Sequence, residues 1–382
     1  MGKIDELIKQ FCPDGVKKVP LGDVLDYEQP SKYIVKSTEY DNSYNIPVLT
    51  AGKGFLLGYT NEQTGVYAAS EENPTIIFDD FVTSFHWVDF PFKVKSSAMK
   101  MLTCKDKVNS FRFIYYAMCE IGFVAKEHSR HWISVYSKIE IPLPPLAVQK
   151  EIVEILDTFT GMIDNLQKEL EQRQKQFEHY RDQMLTFKEG EVQMKPIKEI
   201  GKLVRGNGLQ KKDFTEDGTG CIHYGQIYTR FGLSTSSTLT FVDSQLAAKL
   251  TKVSPGDLVI ACTSENIEDV CKSVAWLGKE DIVTGGHACV FKHSENPKYI
   301  AYCFTTSAFF LQKRKYAYGA KVIDIKTEKL GEITLPVPSL EKQQEIVDKL
   351  DTFEALISNN KQEIELRQKQ YEYYREKLLT FE

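Results

Sequence analysis

The stretch PLPPLAVQKEIVEILDTF at positions 142–159 is written a second time, as PVPSLEKQQEIVDKLDTF at 336–353. Further along, EQRQKQFEHYRDQMLTF at 171–187 returns as ELRQKQYEYYREKLLTF at 365–381. One offset, 336 − 142 = 194, carries both alignments without a gap, and 25 of the 46 paired positions are identical. Agreement at that level marks a duplication, and a repeat has to be recognised before other features are read. Two copies make a doubled half-protein and not a solenoid.

The spacing inside each copy specifies its shape. In the first, Ile152, Leu156, Phe159, Ile163, Leu166, Leu170, Arg173, Phe177, Tyr180 and Met184 advance by four and three residues in turn. Ile346, Leu350, Phe353, Ile357, Asn360, Ile364, Arg367, Tyr371, Tyr374 and Leu378 hold the same seam in the second. An apolar repeat of 3.5 residues sustained over several heptads is the signature of a coiled coil. Pro144 and Pro145 in one copy, and Pro338 with Ser339 in the other, mark helix starts, where proline is tolerated in the first turn. Each helix is predicted to run for about 40 residues, roughly 60 Å. Arg173, Arg367 and Asn360 interrupt the seam. Arginine stems can snorkel past it, or buried polar groups can set register and orientation between helices.

A chain of 382 residues, 42% hydrophobic and 26% charged, suits two or three domains with real cores. No apolar run approaches the ~18 residues of a membrane span. The opening MGKIDELIKQF has no signal-peptide core, and Glu6 breaks the myristoylation pattern, so a cytoplasmic location without membrane attachment is expected. Eight cysteines, at 12, 104, 119, 221, 262, 271, 289 and 303, form no CxxC pair and read as small buried hydrophobes in a reducing compartment.

Taken in order, Ile4, Leu7, Ile8 and Phe11 share one face of a short opening helix that Pro13-Asp14-Gly15 stops. Residues 1–141 are otherwise irregular, with short apolar runs at 46–50, 55–60 and 75–81 and a helical stretch at 111–122. After the first repeat copy, 142–187, a second irregular region spans 188–335, and the second copy occupies 336–382. The two irregular regions open alike (VKKVPLGDV at 16–24, QMKPIKEI at 193–200) and close alike (KIEIPLP at 138–144, GEITLPVP at 331–338) but share little between. RGNGLQKKDFT at 205–215 reads as a polar loop, SPGDLVIACTS at 254–264 as a turn into a buried strand, and 299–315 as one helix. The predicted architecture is α+β, with globular domain, helix, globular domain, helix. Repeated frames with divergent inserts suit a protein in which one geometry must present two different specificities.

Charge divides unevenly. Residues 1–141 carry 16 basic against 18 acidic side chains, 142–187 carry 5 against 8, 188–335 carry 20 against 17, and 336–382 carry 7 against 10. The helices are acidic and the inserts neutral to basic. Since DNA affinity rests largely on phosphate neutralisation, the chain alone reads as a weak DNA binder that needs basic partners or local patches. Such patches occur. In the first insert Lys93, Lys95 and Lys100 surround Ser96 and Ser97, and HSRHW (128–132) interleaves basic and aromatic groups. In the second, Arg205, Lys211, Lys212, Tyr228, Arg230 and the run Lys313, Arg314, Lys315 stand out. Arginine and lysine can pair with guanine edges, asparagine and glutamine with adenine, and serine, threonine and lysine with phosphate.

No catalytic constellation is found. Asn296-Pro297-Lys298-Tyr299 has the outline of the adenine-methyltransferase Asn-Pro-Pro-Tyr loop. It lacks the second proline and any glycine-rich turn before it, so a turn after a strand is expected. Ala51-Gly52-Lys53-Gly54 lacks P-loop spacing, and His287 beside Gly285-Gly286 stands alone. No HxxxH or HExxH pair suggests a metal site.

The twice-written PLPP/PVP-x-L-x-x-Q-x-E-I-V-x-x-L-D-T-F frame resembles the specificity subunit of type I DNA restriction–modification systems, over the whole chain. The resemblance implies two target-recognition domains, 1–141 and 188–335, alternating with helical spacers that pack as an antiparallel coiled coil. Each domain would read one half of a bipartite sequence in double-stranded DNA, with the helices as a ruler for the unread gap. Two adenine-methylating modification subunits would dock on the helices, and motor-nuclease subunits could join for restriction. The chain itself would be non-catalytic and cofactor-free, with S-adenosylmethionine, ATP and magnesium held by those partners. Lys93, Lys95, Ser97, Lys100, Arg205, Lys211, Lys212, Tyr228 and Arg230 are the candidate DNA contacts. Ile152, Leu156, Phe159, Ile163, Leu170, Ile346, Leu350, Phe353, Ile357 and Ile364 are the candidate helix-packing residues. The alternative is a coiled-coil scaffold whose inserts bind proteins or other ligands.

Overall fold

The computed structural model describes residues 2–52, 54–106 and 108–381. The chain forms two units, Met1–Leu166 with Glu363–Glu382, and Gln167–Gln362. The repeat becomes two long helices, Leu146–Met184 and Leu340–Thr380, of 39 and 41 residues. The first starts directly after Pro145, and the second is separated from Pro338 by one residue, Ser339, whose hydroxyl accepts from the Lys342 backbone N–H at 3.4 Å. Each unit contains the first half of one helix and the second half of the other.

In the first unit the similar opening and closing sequences pair with each other. Strand Lys18–Pro20 runs antiparallel to Glu140–Pro142, with Val19 opposite Ile141. Pro20 then ends the ribbon, since it has no N–H for a ladder, and leads into the short helix Leu21–Val24. A four-stranded antiparallel sheet follows, in the order Leu25–Glu28, Met99–Cys104, Thr75–Asp79, Phe85–Val88. A smaller sheet centres on Ile46–Leu49, antiparallel to Leu56–Thr60 and parallel to Lys93–Val94. Helix Phe111–Cys119 packs Phe113 and Ile114 into a core that also takes Ile4, Leu21, Ile152, Leu156 and Leu378.

The second unit repeats this plan in different residues. Gln193–Pro196 pairs antiparallel with Thr334–Val337, and Pro196 precedes helix Ile197–Ile200. Its main sheet runs Gly201–Arg205, Ala288–His293, Leu258–Ala261, Ser273–Trp276, Ser234–Thr235. The first four strands reproduce the order of the first unit's four. Its smaller sheet again centres on a strand, Thr219–Ile222, antiparallel to Thr240–Val242 and parallel to Ile282–Thr284. Inserts that share little sequence therefore share topology. A strand's place in a sheet needs only apolar patterning at the right positions, which many sequences satisfy.

Two expectations change. Residues 299–315 are not one helix but two, Pro297–Cys303 and Ser307–Lys313. The Thr306 hydroxyl accepts from the Phe309 N–H at 3.2 Å, capping a new start. The Asn296-Pro297 pair is that first helix's N-terminus, not a free turn: Asn296 Oδ1 accepts from Tyr299 N–H at 3.1 Å, with proline in the first turn.

Seam burial is graded. Ile152, Leu156, Ile163, Ile346, Leu350 and Ile364 are buried, and Phe159, Leu170, Phe353 and Ile357 are half-buried. In the first unit Phe159 stacks on Tyr374 at 5.2 Å. In the second, Tyr180 stacks on Phe353 at 5.4 Å. Arg173 and Arg367 turn back along their own helices to Glu169 and Glu363, at 2.6 Å and 2.8 Å. This is snorkelling and not a bond to a facing helix. Asn360 is buried.

Candidate nucleic-acid interface

In the first unit, loops leaving one end of the two sheets converge. His86 meets the Gly52 carbonyl at 3.1 Å and packs on Phe55 at 4.7 Å, bringing the loop after Ile46–Leu49 against the main sheet. The Asp80 N–H donates to the Ala98 carbonyl at 2.8 Å, which brings in the loop after Lys93–Val94. That loop exposes Lys95, Ser96 and Ser97, with the Lys95 ammonium 5.9 Å from the Tyr40 ring centre. Beside it the hairpin turn 80–84 carries Phe81 and the exposed Val82, with Thr83 at φ +59°. His128 stacks on Phe81 at 4.7 Å, and the Arg130 guanidinium lies 5.4 Å from the same ring.

Two of the sequence candidates are not surface groups. Lys93, 2% exposed, donates to the Thr64 and Gly65 carbonyls at 2.7 and 3.0 Å and pairs with Glu62 at 3.2 Å. Lys100, 1% exposed, pairs with the equally buried Asp80 at 3.1 Å. Neither reaches an external ligand, because an ammonium taken from water must be paired inside. Asp80 also accepts from the Trp132 N–H at 2.8 Å and from Arg130 at 3.2 Å, so the HSRHW segment is pinned by one carboxylate. Its His131 and Trp132 belong to the interior.

The same loops converge in the second unit. Arg205 donates to the Gly286 carbonyl at 3.2 Å and to Asp324 at 3.3 Å, half-buried at the sheet's end. A Cβ on Gly206 would lie 2.0 Å from the Gly285 oxygen, so the loops after Gly201–Arg205 and Ile282–Thr284 touch only because both carry glycine. His287 meets the Thr263 hydroxyl at 3.1 Å and packs against Tyr224 at 4.8 Å. Helix Tyr224–Thr229 is capped by His223, whose Nδ1 accepts from Gly225 N–H at 3.2 Å. Burial first, then the nearby Lys211 and His287 charges, hold the His223 pKa below its ordinary value.

Lys211 and Lys212 are exposed on a short turn closed by a Gln210–Asp213 capping box. Tyr228 is half-buried, its hydroxyl donating to the Thr263 carbonyl, and burial drives its pKa up. Arg230 is exposed at the far end of the 224–229 helix. Of the Lys313-Arg314-Lys315 run, Lys313 is buried, donating to the Glu268 and Val270 carbonyls at 2.8 and 2.7 Å, and desolvation lowers its pKa. Arg314 and Lys315 are exposed.

His128 belongs to the basic and aromatic patch HSRHW, whereas no motif marks Phe81, Tyr224, Thr263 or His287 as a ligand group. Their one sequence signal is position: each lies in or beside a turn between strands, where scaffolds carry function. Aromatic faces beside basic tips can stack, donate hydrogen bonds and hold phosphates. Among the described residues no three His, Cys, Asp or Glu side chains gather as a metal site, and no helix is long and apolar enough to cross a membrane.

Known proteins share this arrangement. The family model for the type I restriction modification DNA specificity domain matches twice, over residues 13–173 and 189–366. The Escherichia coli type I restriction enzyme EcoR124I/EcoR124II specificity subunit is 40% identical over 399 aligned residues, covering 100% of this chain and 98% of that one. The MjaVIII specificity subunit of Methanocaldococcus jannaschii is 24% identical, covering 75% of this chain and 73% of that one. The crystal structure of the type I restriction–modification S subunit from M. genitalium matches with a TM-score of 0.58. It does so at 14% identity over 96% of this chain and 97% of that one, a likeness of fold.

Proposed function

Because the chain belongs to the type I restriction–modification DNA specificity subunit family, we propose that its two inserts, 1–141 and 188–335, each read one half of a split DNA target. The paired helices, 142–187 and 336–382, hold the two readers a set distance apart. The chain is the non-catalytic, sequence-recognising component of its complex.

The observation that carries this reading is the doubled topology. Equivalent loops leave the same end of equivalent sheets in both units: the loop before the second strand of the main sheet presents Lys95 and Ser97 in one and His287 in the other, and the connection after the third presents Phe81 in one and Thr263 in the other. Two readers of one build and different chemistry suit a target with two unlike halves. Lys95, Ser97, Lys211, Lys212 and Arg230 are the proposed phosphate contacts. Arg205 and Tyr228, already bonded within the protein, shape the loops around them.

Two facing contacts support an antiparallel coiled coil. Phe159 with Tyr374 and Phe353 with Tyr180 exchange under the 194-residue offset, and they are spaced equally along both helices (180 − 159 and 374 − 353, each 21, or three heptads). The acidic helices then serve protein partners, two adenine-methylating modification subunits, which motor-nuclease subunits join. S-adenosylmethionine, ATP and magnesium belong to those subunits. The basic surfaces of such partners closing around DNA offset a chain whose net charge is −5.

The test is an adenine-methylation map of DNA from cells holding the cognate modification subunit, with and without this chain. A split sequence with one fixed gap, lost on deletion of the chain, is expected. An unchanged map with the modification subunit expressed would leave the scaffold alternative standing instead.

A further inference from the structure

We propose that the glutamine and aspartate written into both helix frames, Gln149 with Asp157 and Gln343 with Asp351, are positioning residues that set the angle of each insert on its long helix. The insert answers with a three-residue code on its own docking helix. This rests on the reading of the chain as a bipartite specificity subunit.

In the first unit, Gln149 Oε1 accepts from the Ser110 N–H at 2.8 Å, and its amide donates to Asn109 at 3.0 Å and to the Pro144 carbonyl at 2.7 Å. Ser110 is the N-cap of helix Phe111–Cys119. In the second, Gln343 accepts from the Asn296 N–H at 2.9 Å and donates to Glu295 at 2.6 Å and to the Pro338 carbonyl at 3.0 Å. Asn296 is the N-cap of helix Pro297–Cys303. Asp157 accepts from Arg112 at 2.9 Å and from the Tyr116 hydroxyl at 2.5 Å. Asp351 accepts from Lys298 at 2.5 Å and from the Tyr302 hydroxyl at 2.8 Å.

The code on the insert is thus a cap, a base two residues on and a tyrosine six residues on: Ser110, Arg112, Tyr116 and Asn296, Lys298, Tyr302. The frames differ by 194 positions, but these helices differ by 186 (296 − 110), so eight residues more separate helix from frame in the second copy. The bonds are the same nonetheless. Partners kept across a change in loop length point to a required geometry.

The physics separates angle from strength. Gln149 and Gln343 are buried, so their amides must be satisfied, and removing one strands a backbone N–H and a carbonyl. The ion pairs at Asp157 and Asp351 are partly solvated and contribute little stability. Glutamine and aspartate stand eight residues apart on one helix, about 12 Å. One attachment would leave the docking helix free to pivot, and two do not.

The readout is therefore the gap between half-sites. Methylation would be mapped in cells holding the modification subunit, for the unaltered chain and for Gln343→Leu, Asp351→Asn and Tyr302→Phe. Both half-site sequences should persist in the variants, while sites with a gap one base pair longer or shorter gain methylation roughly tenfold relative to the normal gap. That ratio corresponds to about 1.4 kcal/mol. Loss of fold alone lowers methylation everywhere and leaves the ratio untouched, so that pattern counts against the proposal. Tyr302→Phe, which deletes one hydroxyl, guards against a variant that does not fold. If the unaltered chain yields a split motif and every variant keeps its single gap, the latch is refuted. If no split motif exists at all, it is the specificity reading that fails.

Discussion

Lys95 and Lys100 leave the same short strand-and-turn segment, one into water and the other into the protein. Lys100 is locked to Asp80, with both at 1% exposure, and Lys95 is free to meet an anion. Replacing Lys100 with methionine leaves Asp80 only its Arg130 and backbone partners, and should cost the first unit about 3 kcal/mol in denaturant unfolding. Lys95→Ala should leave stability within about 0.5 kcal/mol. In the assembled complex it should instead lower DNA affinity evenly across sequences and reduce the salt slope by about one. A Lys95→Ala loss confined to one base position would show base reading in place of phosphate contact. The sequence placed all three lysines of 93–100 in one patch. It could not separate them, because which lysine faces inward depends on carboxylates at Glu62 and Asp80, contributed by other strands and loops.

Elements show where local signals suffice. The long helices appear where the 3.5-residue repeat puts them, and the prolines mark their starts within two residues. The break at Thr305-Thr306 was missed because apolar periodicity runs straight through it, and only the threonine cap reveals it. A cap also gives the short helix Tyr224–Thr229 its pH dependence. His223 must stay neutral for Nδ1 to accept from Gly225, and its pKa is lowered in the fold. The unfolded chain, near pKa 6.5, then binds the proton more readily than the folded one. Stability from this group is complete above about pH 6.5 and declines as pH falls below it. His293, half-buried, is shifted the same way by desolvation and adds to the trend. Calorimetric melting between pH 7.5 and about 5.5 should show a falling Tm that His223→Asn flattens, since asparagine caps without titrating. An equal slope in both proteins would remove the cap from the explanation.

For the whole molecule, the proposed function makes the length of the paired helices the property to test. One added helical turn of four residues within 165–175, matched within 359–369, lengthens the rod by about 6 Å and rotates its far end by about 40°. A DNA base pair rises roughly 3.4 Å and turns about 35°. The gap in the methylated sequence should lengthen by one or two base pairs with both half-sites unchanged. Recovery of the old gap from such a chain would end the ruler reading.

The sequence by itself determined the duplication, the two long helices, the alternation of helix and insert, and the family, because these rest on periodicity and on identity at a fixed offset. Only the tertiary structure decided that the diverged inserts share one strand order, that Lys93, Lys100 and Lys313 are interior groups, and that Gln149 and Gln343 bind the caps of the docking helices. The reason is common to all three. Strand partners, buried ion pairs and satisfied amides join residues dozens of positions apart, and nothing in the spacing of one segment records what the other will place opposite it.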